Sequence, residues 1–541
     1  MAVGGERRTI GGRSIRWDED RAAEAYASGS WITGTLADAL RDAARDTPER
    51  SVVVDADVRL DCRELSVRAE ALAAAMADRM PAGSVVSFML PNWHEAAVGY
   101  LAATLAGMVV NPILPSLRDH ELRFILDDVV CRMIFVPADF RGHDYAAMLS
   151  RVTEALDAPP EVVVVRGSSG AHTAYADLFD ESASLPAVEL DPDAVRMILY
   201  TSGTTGRPKG VLHSHNSIHA LIRQLSQHWL VELGDTFLVP SPIAHIGGSI
   251  YAFEIPLLLG TTAVLMETWN ADEAVALMLA HRCTHMAGAT PFLQQLLAAA
   301  ERADSRLPEL KVFICGGASV PPSLIRKATA YFDKASVTRV YGSTEVPVTT
   351  VGALDDPDVA ADTDGRPGIA DIWLVGRDPG GAGNGTGEIR ALGDQMLVGY
   401  LHPEDEAESF DDEGYFRTGD IGSWDRGALV VSGRVKDLII RNGENISPKE
   451  VEDILIGHPA IAEVAVVGLP DARTGEQACA VIVCPDGAGP DVGALRDFLD
   501  GHGVAKFKAP ERVAIWDALP KNDAGKVLKH QIRATLQTTG E

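Results

Sequence analysis

The stretch Tyr200-Thr-Ser-Gly-Thr-Thr-Gly-Arg-Pro-Lys-Gly210 follows a mostly apolar run, residues 195–199. Such a run reads as a buried strand. The loop it opens into carries three glycines and four small hydroxyl side chains. A loop of this kind can turn its backbone N–H groups inward around phosphate oxygens, while serine and threonine add donors and Lys209 adds charge. It is not a Walker A loop, because Pro208 precedes the lysine and no serine or threonine follows it. The competing reading is a polar surface loop. So many small hydroxyl residues directly after a buried strand favour a ligand instead.

Outward from this loop, strand and helix patterns alternate. Helical periodicity covers residues 36–44, 64–80, 94–105 and 272–280. Short apolar runs at 84–90, 131–136, 161–165, 235–239, 262–266 and 312–315 predict buried strands of a parallel sheet. The pattern is α/β. The longest apolar stretch, residues 96–110, falls short of the roughly 18 residues a membrane span needs and predicts a buried helix. From 368 to 430 the texture changes to glycine-rich turns and short strands. Residues 380–387 read as a loop rather than a dinucleotide fingerprint, because no helix follows. After Gly433 comes a shorter unit with a helix at 448–456 and strands at 464–467 and 478–483. The expected architecture is a large N-terminal α/β domain, residues 1–432, and a small α+β C-terminal domain, residues 433–541.

Composition bounds the function. With 541 residues, 46% hydrophobic and 23% charged, the chain is an ordinary globular protein rather than a disordered, collagenous or coiled-coil one. The net charge of −28, from 76 acidic and 48 basic residues, would repel nucleic acid and anionic membrane surfaces, so neither is an expected partner. Cys62, Cys131, Cys283, Cys315, Cys479 and Cys484 have neither disulfide-framework nor zinc spacing. The N-terminus has no apolar run after its charges, so a secretory signal is not expected and the cytosol is the expected compartment. Lysine is scarce, 11 against 37 arginines, and Lys209 stands alone before residue 311. A lysine kept where arginine is the default cation fits a need for a compact ammonium, with chance placement as the competing reading.

Further motifs follow in order. Tyr341-Gly-Ser-Thr-Glu345 places an aromatic ring that can stack on adenine beside a threonine and a carboxylate that can hold a hard cation. Then come Gly414-Tyr-Phe-Arg-Thr-Gly-Asp420, Gly433-Arg-Val-Lys-Asp437, Gly443-Glu-Asn-Ile-Ser-Pro448 and Leu519-Pro-Lys-Asn-Asp-Ala-Gly-Lys526. Taken singly, the first is also a plausible turn, Asp420 an exposed turn residue, and Lys521, Lys526 and Lys529 a solvated basic tail.

Taken together and in this order, the motifs resemble those of the adenylate-forming superfamily, which holds acyl-CoA synthetases, peptide-synthetase adenylation domains and firefly luciferase. The resemblance implies that Thr201, Ser202, Gly203, Thr204, Thr205, Gly206 and Lys209 hold the ATP phosphates. It implies that Gly316, Tyr341, Gly342, Ser343 and Thr344 line the nucleotide, and that Asp420 and Arg434 contact the ribose. Thr201 and Glu345 would bind Mg²⁺, Lys526 would be the catalytic lysine and Lys436 the hinge. His245, Gly317 and Ala318 would border the acyl group, with Ile243, Ile246, Ile250 and Val346 as an apolar lining. Gly443, Glu444 and Asn445 would face the CoA tunnel. Gly365-Arg-Pro-Gly368 matches a structural turn.

The implied reaction joins a carboxylic acid to AMP with release of pyrophosphate, then passes the acyl group to CoA as the small domain swings about the hinge. Catalysis would come from alignment and charge neutralisation. The implied partners are an apolar acid, ATP and CoA, with no nucleic acid and no integral membrane contact; a homodimer stays open. Residues 241–251 hold no acidic residue, which disfavours an α-amino acid. The 443–450 loop has the form usual in acyl-CoA synthetases, and residues 90–122 resemble medium-chain and alicyclic acid ligases such as cyclohexanecarboxylate–CoA ligase. The alternatives are a ligase that loads a carrier protein, a non-catalytic nucleotide-binding protein and a luciferase-like oxidative enzyme.

Overall fold

In the computed structural model the alternating pattern closes into two sheets that share one core. The structure describes residues 7–179, 185–201, 207–317, 320–376, 385–442, 444–471, 473–485, 487–521 and 526–539. Among these, an eight-stranded sheet runs Thr173–Ala174, Glu161–Val165, Cys131–Pro137, Val85–Phe88, Val109–Pro112, Val195–Thr201, Lys209–Ser214, Gly399–Tyr400. Its first six strands are parallel and the last two antiparallel. A seven-stranded sheet runs Ser336–Arg339, Val312–Cys315, His285–Gly288, Thr236–Val239, Thr262–Leu265, Ser51–Asp55, Val58–Asp61, and is parallel except for its last pair. The helix His94–Leu105 is apolar on every side and buried from Ala96 to Leu105, as a helix wedged into a core must be.

The apolar stretch 96–110 is two elements rather than one helix. The helix stops at Leu105, Gly107 turns the chain with φ +70°, and Val109–Pro112 is a strand. A side chain at Gly107 would also crowd Val188 and Ala82 at 3.0–3.3 Å. The hairpin of strands Arg7–Ile10 and Arg13–Arg16 carries no strong hydrophobic signal. It is held from outside, by Arg16 N–H to the Val398 carbonyl (2.7 Å) and by an Arg7–Glu406 ion pair (2.7 Å).

The segment of changed texture forms a four-stranded antiparallel sheet, Asp371–Val375, Gly387–Leu392, Phe416–Asp425, Ala428–Arg434. Residues 377–384, most of the expected glycine-rich loop, lie outside the described residues. The strand Ala428–Arg434 runs through Ser432 and Gly433, and the chain leaves the sheet at the single turn Val435–Asp437. Beyond it, strands Glu444–Ile446, Ile439–Arg441, Gly475–Val483 and Glu463–Asp471 form a small sheet, with Arg512–Ile515 parallel to Gly475–Val483. Its two apolar clusters draw only on residues from Ile439 onward, so this unit has its own core. Among the described residues no helix is long and apolar enough to cross a membrane.

One buried charge pair ties the strand before the phosphate loop to the rest of the core. Arg196 donates to Glu254 (2.7 Å) and to the Tyr100 hydroxyl (2.8 Å), and Tyr100 donates to the same carboxylate oxygen (2.5 Å). Both ionic side chains are 1% exposed. Glu254→Ala leaves the guanidinium buried and uncompensated, which typically costs about 3–5 kcal/mol. A marked fall in thermal unfolding midpoint is expected. The joint change Arg196→Met with Glu254→Leu should recover most of it.

Candidate active site

The motif residues converge because each follows the carboxyl end of a strand, where open α/β sheets place their ligands. Thr201 ends the strand Val195–Thr201. Gly316 follows Val312–Cys315, and Tyr341 lies two residues after Ser336–Arg339. Asn92 comes just after Val85–Phe88 and bridges the two sheets. Its amide donates to the carbonyls of Val239 (3.0 Å) and Ser241 (2.9 Å) and accepts from Ile243 N–H (3.1 Å). Asn92 thus fixes the segment that leads to His245. His245 caps a short helix that continues through a π-turn, Ile250–Glu254. Ile243, Ile250 and Val346 are buried, and Ile246 is half-buried. Gly248 is required here, since a Cβ would lie 2.0 Å from the Pro242 carbonyl oxygen.

The strands on either side of the hydroxyl-rich segment, Val195–Thr201 and Lys209–Ser214, pair as an antiparallel hairpin. Thr201 and Lys209 face each other in register at its base. Ser202, Gly203, Thr204, Thr205 and Gly206 lie outside the described residues. The Lys209 ammonium is 3.2 Å from the Asp405 carbonyl oxygen and 5.2 Å from the centre of the Tyr400 ring. Tyr400 in turn donates its hydroxyl to Glu345 (3.1 Å), and Leu397 N–H binds the Glu345 carbonyl (2.7 Å). Burial, aided by the Glu345 charge, pushes the Tyr400 phenol well up, so it stays a donor. Thr201, Lys209 and Glu345 are therefore linked through one strand, Gly399–Tyr400. Gly342 sits where a Cβ would meet Val348 N at 2.6 Å, and Ser343 closes the turn by accepting from Val346 N–H (3.1 Å).

The second focus is the Asp420 carboxylate. It accepts from the Tyr341 hydroxyl (2.6 Å) on one oxygen and from Arg434 Nε (2.7 Å) on the other. Thr418 Oγ1 accepts from Asp420 N–H (3.0 Å) and steadies the turn. Gly316 packs against Val340 so closely that a Cβ would be 3.0 Å from its carbonyl oxygen, and Gly317 has φ +82°. Ala318 lies outside the described residues.

Lys526 reaches this focus from the small domain. Its ammonium feels Arg434, Asp420, Lys436 and Asp437. Surrounding protein pushes its pKa below the ordinary lysine range; the Arg434 and Lys436 cations add to this, while Asp420 and Asp437 oppose it. Lys436 is exposed in the turn Val435–Asp437, and Arg533 pairs with Asp437 (3.0 Å). Glu444 is exposed on the strand Glu444–Ile446, which also contains Asn445, while Gly443 lies outside the described residues. That strand is on one edge of the small sheet. Lys521, five residues before Lys526, pairs with Glu463 (2.8 Å) on the other edge strand, Glu463–Asp471.

The sequence matches the AMP-binding enzyme family over residues 40–401, and the AMP-binding enzyme C-terminal domain over residues 450–526. The chain is an AMP-binding enzyme. It is 33% identical over 539 residues to a medium-chain fatty-acid–CoA ligase of Escherichia coli (strain K12), covering 97% of this chain and 94% of the relative. It is 32% identical over 516 residues to a 3-[(3aS,4S,7aS)-7a-methyl-1,5-dioxo-octahydro-1H-inden-4-yl]propanoyl:CoA ligase of Rhodococcus jostii (strain RHA1), covering 92% and 98%. Among solved structures, ATP-bound MatB from Rhodopseudomonas palustris superposes with a TM-score of 0.81 at 29% identity, covering 94% of this chain and all of that one. Apo MatB superposes less well, with a TM-score of 0.72 at 28% identity over 94% of this chain and all of that one.

Tyr400, Asn92 and Asp405 escape a sequence reading because each acts on a residue far along the chain. The Tyr400–Glu345 bond spans 55 positions and the Asn92–Val239 bond 147. The one sequence signal was Tyr400 directly following Gly399, and it is too short to read.

The Lys526 environment predicts a pH effect. If Lys526 acts in adenylation as its ammonium, that form's population falls as pH rises through its pKa. The Asp420 carboxylate raises that pKa. In Asp420→Asn the alkaline limb of the adenylation pH profile should move to lower pH, whatever the loss in amplitude. An unmoved limb in kcat/KM for pyrophosphate release would separate Asp420 from Lys526.

Proposed function

We propose that this AMP-binding enzyme is an acid–CoA ligase whose acid substrate is an uncharged, apolar carboxylic acid of medium-chain or alicyclic type. It forms acyl-AMP and pyrophosphate from the acid and ATP, then acyl-CoA and AMP. The observation that carries this reading is the grouping of Lys526, Arg434 and Asp420 at Tyr341, one end of the short run whose other end, Glu345, is tied to the Thr201–Lys209 hairpin through Tyr400. A pure nucleotide binder has no use for a lysine brought in on a second domain. The apolar acid is supported by buried Ile243, Ile250 and Val346 and by the relatives' names.

Mg²⁺ fits the donor set. Glu345 offers a hard carboxylate oxygen, Thr201 a hydroxyl, and Lys209, opposite Thr201 on the hairpin, a further counter-charge for the phosphates. When bound, the ion would spread negative charge on the phosphates. The protein's own groups do the rest. The hairpin holds the β- and γ-phosphates as leaving group. Asp420 and Arg434 hold the ribose, and Tyr341 flanks the base. The substrate carboxylate attacks the α-phosphorus, the bond to pyrophosphate breaks, and the Lys526 ammonium meets the charge that develops. The thiol of CoA then attacks the acyl carbon and AMP leaves. For that step the small domain, residues 433–541, turns about Lys436 and brings residues 443–445 to the cleft. The cytosol is the proposed compartment.

Mass spectrometry of the product mixture tests the acceptor and the acid together. Acyl-CoA is expected from medium-chain or ring-bearing acids. Acyl-AMP alone in the presence of CoA, with transfer once a carrier protein is added, would overturn the CoA assignment.

The half-reactions should also separate. Lys526→Ala removes a charge-assisted contact made in adenylation, which typically lowers rate by about 10²–10³-fold. It should still form thioester from pre-made acyl adenylate at near wild-type rate. Lys436→Pro fixes φ at the hinge and should adenylate, then stall. Equal loss of both steps in Lys526→Ala would contradict the domain rotation.

A further inference from the structure

His213 has no part in the motifs that identify the site. It is fully buried on the strand Lys209–Ser214, four residues past Lys209. Its Nε2 lies 2.7 Å from the Thr344 carbonyl oxygen, and its Nδ1 lies 3.2 Å from Ser217 Oγ. A carbonyl only accepts, so Nε2 carries the proton, and Nδ1 faces the Ser217 hydroxyl, which also lies 3.2 Å from the Ser214 carbonyl oxygen. Ser217 is itself held, because it forms a capping box with Ser214 at the start of the helix His215–His228. The tautomer and the ring orientation are thereby fixed.

The bonded carbonyl belongs to the residue directly before Glu345. The other holds on Glu345, Leu397 N–H and the Tyr400 hydroxyl, come from the neighbouring segment. That segment pairs with the His213 strand at Val211↔Tyr400 and Leu212↔Gly399. The return strand of the phosphate loop and its neighbour therefore clamp Glu345 from both sides.

We infer that His213 is a positioning residue for the adenylation step: its Nε2–H···O=C bond to Thr344 holds the Glu345 carboxylate in place relative to the phosphate loop. This rests on the reading of Glu345 as a Mg²⁺ ligand. The bond acts on adenylation alone, since the thiol step no longer involves the β- and γ-phosphates. His213→Leu keeps the bulk and removes the donor, leaving a buried carbonyl unpaired. His213→Gln replaces the donor at nearly the same position.

The test measures pyrophosphate release against Mg²⁺ concentration, and thioester formation from pre-made acyl adenylate, in His213→Leu, His213→Gln and Glu345→Ala. His213→Leu should raise the Mg²⁺ needed for half-maximal adenylation by about tenfold. His213→Gln should return it to within about threefold of wild type. Thioester formation should be unchanged in both. Should His213→Leu not fold, His213→Asn, whose amide is too short to reach Thr344, takes its place with the same expectation. Unchanged Mg²⁺ dependence, equal loss of both half-reactions, or no rescue by glutamine overturns the inference. Glu345→Ala separates the two readings. If it leaves the Mg²⁺ dependence unmoved, the metal assignment fails; if it shifts that dependence while His213→Leu does not, only the His213 inference fails.

Discussion

The site depends on one carboxylate. Asp420 stands where three parts of the molecule meet and accepts a hydrogen bond from two of them. Tyr341 reaches it from the seven-stranded sheet, and Arg434 from the last residue of the antiparallel sheet. Lys526 comes close from the small domain, as a cation that the same carboxylate supports. A carboxylate accepting charge-assisted bonds is among the stronger polar contacts a protein can make. Without Asp420, the Arg434 and Lys526 cations would face one another with one fewer opposing charge.

The phosphate side is built differently. There the backbone carries the geometry. A hairpin locks Thr201 opposite Lys209, and the adjoining strand Gly399–Tyr400 carries that register over to Glu345. The two foci are joined by the short run from Tyr341 to Glu345, which binds Asp420 at one end and Tyr400 at the other. Gly342 makes the run tight enough, since a side chain there would strike Val348 N. The buried pair of Arg196 and Glu254 anchors the strand that starts the hairpin. Sheets thus place Thr201, Lys209, Glu345 and Asp420, while Lys526 sits beyond the single exposed turn Val435–Asp437.

What the sequence made legible was local. Strands such as 131–136 and 161–165 are apolar because both faces are covered, and the structure has strands at Cys131–Pro137 and Glu161–Val165. Glu345, Asp420, Arg434 and Lys526 stood out in the sequence because each sits in a short motif of consecutive residues, and the structure gives Glu345 and Asp420 the partners Tyr400, Tyr341 and Arg434. The acyl side was only partly so: His245 was named, but Asn92, which positions its loop, was not. The rest was hidden by distance along the chain. His213 and Tyr400 look like ordinary strand residues until sheet pairing brings them to Thr344 and Glu345. The hairpin at Arg7–Arg16 is polar and owes its form to Val398 and Glu406, nearly 400 residues away. The helix expected over 96–110 failed at one point, Gly107, where a left-handed turn starts a strand inside an unbroken apolar run.

The account's central claim is that the arrangement seen here, with Lys526 beside Asp420 and Arg434, is the one that activates the acid. Isotope exchange between labelled pyrophosphate and ATP tests this most directly, because it reads adenylation alone and runs without any thiol. Exchange should require an apolar carboxylic acid, should proceed in the complete absence of CoA, and should fall by about 10²–10³-fold when Lys526 is replaced by alanine. Exchange that proceeds without the acid, or only once CoA is supplied, would contradict it.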